Sequence, residues 1–82
     1  MDTSTQTDTH LELSAAMLAS VRAERVCITK LELEEMAALA TNRFELGKRA
    51  IELARAQSAP EAAKRDYRVA HRMAQQNHKI LQ

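Results

Sequence analysis

The chain has 82 residues, enough for one domain at most, and carries a net charge of +1. Of its 37 hydrophobic residues 15 are alanine and only Phe44 and Tyr67 are aromatic, so the core it can bury is thin. A lone Cys27 excludes an intrachain disulfide, and no apolar run approaches the roughly 20 residues of a membrane span.

What remains for a small domain with a thin core is association, with itself or with another protein. Few β-branched residues, one glycine and one proline, with abundant Ala, Leu, Glu, Arg and Gln, favour an all-α chain. A single free cysteine and a polar N-terminus lead to the expectation of a cytoplasmic protein.

Residues 1–9 are polar after the initiator and are expected to form a flexible arm ahead of a single helical domain over 10–82. Thr9 and Glu12 have capping-box spacing, which starts a first helix near His10 and carries it to about residue 25. Leu13, Met17 and Val21 recur at four-residue steps, with Leu11 and Leu18 beside them; Arg22, Glu24 and Arg25 are assigned to solvent. Val26, Cys27 and Ile28 interrupt the pattern, and Thr29 with Glu32 repeats the capping-box spacing. Two readings stay open here: a break near 26–29, or one continuous helix over 10–57.

The longest uninterrupted pattern runs from Lys30 to Gln57. As a helix of about 1.5 Å per residue it would be roughly 42 Å long, and it is expected to be the central element. Leu33, Ala37, Ala40, Phe44, Gly47, Ile51 and Ala54 lie three or four residues apart on one stripe. Ala40, Phe44, Gly47, Ile51 and Ala54 are read as the helix-packing seam. Gly47 costs about 1 kcal/mol relative to Ala inside a helix, which close approach of a second helix would offset. Leu39, Leu46, Ala50 and Leu53 form a second face, and Leu39, Leu46 and Leu53 are assigned to partner binding if nothing internal covers them.

Ser58, Ala59, Pro60 and Glu61 end this helix, by a hairpin at 56–59 or by a kink. The last helix is expected over about 60–81. A hairpin would bring Gly47 near Val69 and Ala70, Phe44 to Met73, and Ala37 to Ile80. The architecture is thus a helical hairpin or a small three-helix bundle with a long central helix.

Charge is uneven. Residues 1–41 hold seven acids against three bases, a balance of −4; residues 42–82 hold nine bases against four acids, a balance of +5. Lys64, Arg65, Arg68, Arg72 and Lys79 mark a basic face of the last helix that would suit an anionic partner. No Gly-rich loop, zinc signature or aromatic platform accompanies it. His71 and His78, seven apart, are separated by about 10.5 Å along a helix, too far to share a metal, so neither metal nor cofactor is expected. Cys27 has no histidine beside it in sequence and is read as a small buried residue, not a nucleophile. Glu32, Glu34 and Glu35 suit the first turn of a helix through its dipole. The methionines Met17, Met36 and Met73 are read as core fillers. These features argue against an enzyme.

In its length and its alanine-rich helical residues over 10–81, the chain resembles the small helical-hairpin chaperones of type III secretion systems. That resemblance rests on size and composition, with no shared motif and no binding residue to carry over. It implies a hairpin that works in a complex and keeps an amphipathic subunit from polymerising. The leading expectation is therefore a protein-binding helical module: a chaperone, adaptor or assembly subunit using helix-in-groove packing. A nucleic-acid-associated protein using Lys64, Arg65, Arg68 and Arg72 is the alternative, and an obligate homo-oligomer is a third reading.

Overall fold

The structure is a computed structural model and describes residues 9–81; the remainder of the expected N-terminal arm lies outside the described residues. The described residues form three helices, α1 (His10–Lys30), α2 (Leu33–Ala56) and α3 (Glu61–Leu81), in an all-α fold consistent with a three-helix bundle. Its Cα atoms fill 38 × 29 × 16 Å.

α1 starts where the capping box requires. The Thr9 hydroxyl accepts the Glu12 amide at 3.1 Å, and Glu12 Oε1 accepts the Thr9 amide at 3.2 Å. The helix does not stop near residue 25 but continues to Lys30. Cys27 and Ile28 are buried, so their tertiary contacts outweigh a weak local preference for helix. Thr29 caps nothing; it sits inside the helix with its hydroxyl donating to the Arg25 carbonyl at 3.0 Å.

The break falls instead at Leu31, in the left-handed region with φ 60° and ψ 34°. The Leu31 amide donates to the Ile28 carbonyl at 3.2 Å and the Glu32 amide to the Cys27 carbonyl at 2.8 Å, the paired bonds of a Schellman motif. The continuous-helix alternative is thereby excluded. α2 ends at Gln57, whose backbone is extended, and α3 begins after Pro60, whose carbonyl accepts the Lys64 amide at 2.9 Å.

The central element is α1, not α2. Both α2 and α3 pack on α1, and they scarcely touch each other. α1 has two buried columns, each with seven-residue spacing: Leu13, Ser20 and Cys27, and Ser14, Val21 and Ile28. Ser20 Oγ donates to the Leu39 carbonyl of α2 at 3.1 Å, so the first column faces α2. Asn77 of α3 donates from Nδ2 to the Val21 carbonyl at 3.2 Å, so the second faces α3. A repeat of seven keeps such a seam in register with its neighbour along several turns.

α3 answers with Ala63, Ala70 and Asn77, again seven apart and all buried. Ser14 on α1 and the two alanines on α3 are small and fully buried, side chains that permit close approach of two helices. α2 answers with Leu46, buried, flanked by half-buried Leu39 and Leu53. Burying one such leucine fully contributes about 1.5–3 kcal/mol.

Polar residues complete the interior. Glu24, assigned to solvent from the sequence, is buried and held by Arg43 of α2, with Nε to Oε2 at 2.7 Å and Nη2 to Oε1 at 3.5 Å. Arg25 is also drawn inward, donating from Nε to Asn77 Oδ1 at 2.5 Å. His10 is buried where all three helices meet. Its Nε2 lies 2.9 Å from the Gln57 carbonyl, which can only accept, so Nε2 carries the proton. Nδ1 and the Tyr67 hydroxyl share a hydrogen bond at 2.8 Å, and the two rings meet edge-on. Every buried side-chain N and O among the described residues has a partner.

Candidate functional site

The two apolar faces of α2 have exchanged the roles expected of them. Of Leu39, Leu46 and Leu53, assigned to a partner, Leu46 is buried and the other two half-buried, with Ser20 of α1 bonded to the Leu39 carbonyl. The stripe read as a packing seam faces outward. Leu33 is 58%, Phe44 65% and Ile51 62% exposed; Ala37 and Ala54 are exposed, and Ala40 and Gly47 are half-exposed. A Cβ built on Gly47 would meet nothing within 4 Å.

The pairings of Phe44 with Met73, Gly47 with Val69 and Ala70, and Ala37 with Ile80 do not form, because α3 turns away from α2 to lie on α1. Ile80 is itself exposed. The leucine column takes the contact with α1 where Ser20 bonds the Leu39 carbonyl and Glu24 holds Arg43.

The outer face of α2 from Leu33 to Ala54 is therefore an apolar strip about 32 Å long at 1.5 Å per residue, with charges along its edges. Lys48 Nζ stands 5.5 Å from the centroid of the Phe44 ring and 3.4 Å from Glu45 Oε2. Arg55 lies 3.7 Å from Glu52. Glu34 and Glu35 occupy the first turn, as their interaction with the helix dipole favours.

The basic residues of α3 that the sequence offers as a face for an anionic partner are exposed. Lys64, Arg65, Arg68, Arg72 and Lys79 lie, by helical spacing, opposite the buried Ala63–Ala70–Asn77 column. Lys64 is within 3.5 Å of Glu61. Toward the C-terminal end, His71, Arg72, Gln75, His78 and Lys79 line a shallow recess of about 700 Å³ that Arg43 of α2 also borders.

Cys27 is buried, and its thiol pKa is raised, first by desolvation and then by the charges of Glu32 and Glu35. That is the reverse of an activated nucleophile. Burial also raises the Tyr67 hydroxyl pKa. Among the described residues no group of three or more His, Cys, Asp or Glu is arranged to hold a metal ion, and no helix is long and apolar enough to cross a membrane. No family model, curated protein or solved structure matches the chain.

Sequence reasoning missed His10, Glu24, Arg25 and Asn77 as structural residues. One signal was present, for Asn77 alone: it continues the heptad-spaced column Ala63–Ala70–Asn77, where a polar member can bond across the helix interface, as its contacts with Val21 and Arg25 do.

Proposed function

We propose that the chain is a protein-binding helical module, an adaptor, chaperone or assembly subunit, whose docking face is the outer stripe of α2. The observation that carries this is the alignment of Leu33, Phe44 and Ile51, each more than half exposed, along a helix whose opposite face is already covered by α1. Large apolar side chains left in one contiguous line mark an interaction surface. A partner helix laid along the stripe would bury them, with Gly47 admitting close approach.

The test is photo-cross-linking in the native cell, with a benzophenone side chain replacing Phe44 or, as control, the exposed Arg68. Protein adducts at position 44 that are absent at 68 support this reading. Equal labelling at both, or none at 44, refutes it.

A second reading is favoured by one observation, the exposed arc of Lys64, Arg65, Arg68 and Arg72 on α3 with the basic recess at its end. It would serve a nucleic acid or another polyanion. Such binding would weaken steeply as salt rises, which docking on the α2 stripe would not.

A further inference from the structure

We propose that the occupant of the α2 stripe is the α2 stripe of a second copy of this chain, running antiparallel, so that Phe44 of each copy seats over Gly47 of the other. This rests on the protein-binding reading above and names its partner.

The stripe consists of two adjacent columns, each with seven-residue spacing. Ala37, Phe44 and Ile51 form one; Leu33, Ala40, Gly47 and Ala54 form the other. In an antiparallel pair each column meets the other column of the partner helix. With the twofold axis between residues 45 and 46, Phe44 faces Gly47, Ile51 faces Ala40 and Ala37 faces Ala54. Phe44 and Ile51 each then meet a small residue, the condition for interdigitated packing, while Leu33 falls past the end of the partner's α2. In a parallel pair Phe44 would meet Phe44 and Gly47 would meet Gly47, a crowded layer beside a void.

Gly47 supplies a second argument. It sits in the middle of α2, half-exposed, with open space where its Cβ would be. Nothing within one chain makes use of the missing side chain, although Gly there costs about 1 kcal/mol of helix stability. A phenylalanine ring arriving from outside would use it.

Charge selects the same arrangement. The antiparallel register sets Glu34 opposite Arg55 of the other copy, twice by symmetry, and Thr41 opposite Lys48. On the other edge Arg43, already engaged by Glu24, meets Ala50. A parallel pair would set Arg43 beside Lys48. Shifting the antiparallel pair by one heptad sets either Lys48 against Lys48 or Arg43 against Arg43, and the second shift, which also sets Glu34 against Lys48, loses the seating of Phe44 over Gly47. Like charges so placed disfavour those registers. The Arg55–Glu52 contact within one chain, at 3.7 Å and largely exposed, is weak enough to exchange.

The test is sedimentation equilibrium of the purified chain from low to high micromolar concentration, with helix content followed by circular dichroism. The expected result is a dimer mass, reduced to that of the monomer by Phe44→Asp and by Gly47→Leu with helix content retained. Glu34→Arg alone and Arg55→Glu alone should each weaken the dimer about tenfold or less, as surface charge pairs do, and the double exchange should restore it. A monomer at every concentration, a dimer indifferent to Phe44→Asp, or a double exchange that fails to restore association would overturn the proposal. If the chain is monomeric yet position 44 cross-links to a different protein, self-pairing fails while the protein-binding reading stands.

Discussion

The buried amide of Asn77 spans from α3 to α1, donating to the Val21 carbonyl and accepting from Arg25. It is the polar member of an otherwise alanine column, so it fixes which turn of α3 lies against which turn of α1. Asn77→Ala removes both bonds and leaves the Arg25 guanidinium short of a partner. It should destabilise the domain by about 1–3 kcal/mol, read from the urea unfolding midpoint. An unchanged midpoint would show that the alanine contacts alone set the register.

Arg43 and Glu24 connect α2 to α1 in a different way. Arg43→Ala strands a buried carboxylate and should cost about 2–4 kcal/mol, near the lower range for broken buried pairs because Arg43 is partly solvated. Replacing both by apolar residues, Glu24→Leu with Arg43→Met, should recover most of that loss. A double variant as unstable as the single one would mean that the pair itself, and not the stranded charge, carries the energy.

Leu31 holds a left-handed backbone without being glycine, and its side chain is largely exposed. A non-glycine residue in this region costs about 1–2 kcal/mol, part of which glycine gives back as chain entropy. Leu31→Gly should therefore stabilise the fold by about 0.5–1 kcal/mol, seen as a higher melting temperature. A lower one would reveal a role for the leucine side chain.

Cys27 should resist alkylation by iodoacetamide near pH 8 in the folded protein and react readily in urea, because the thiolate forms only above its usual range near 9.0. The sign for stability follows. A thiol whose pKa is raised on folding keeps its proton when the unfolded chain has lost it, so its contribution is intact below pH 9 and is lost as pH climbs toward the folded value. Tyr67 acts in the same direction from about pH 10. Unfolding monitored from pH 7 to 11 should show stability falling only at the alkaline end; a Cys27→Ala variant should lose the earlier part of that fall.

How much of this could be read in the sequence varies by feature. The Thr9–Glu12 box and the break at Pro60 are local, carried by residues within one turn, and they form where the spacing places them. The end of α1 is not local. Val26 to Ile28 are poor helix formers, and only the burial of Cys27 and Ile28 against neighbours distant in sequence keeps the helix going. The inversion of the α2 faces has a similar cause. Leu39–Leu46–Leu53 and Phe44–Gly47–Ile51 are both apolar at helical spacing, and periodicity alone does not rank them. Ranking them required α1, whose Ser20 and Glu24 look polar until the Leu39 carbonyl and Arg43 are found opposite. The basic face of α3 was legible because its Lys and Arg residues stand opposite a column of small ones, whatever that column packs against.

The central claim is that Leu46 faces α1 while Phe44, two residues away, faces solvent. The most direct measurement compares the unfolding free energies of Leu46→Asp and Phe44→Asp at low concentration, where association plays no part. The account predicts a loss of more than about 3 kcal/mol, or outright unfolding, for Leu46→Asp, and a change within about 0.5 kcal/mol for Phe44→Asp. Tolerance at Leu46 together with collapse at Phe44 would return the Phe44–Gly47 stripe to the interior and contradict the arrangement of helices described above.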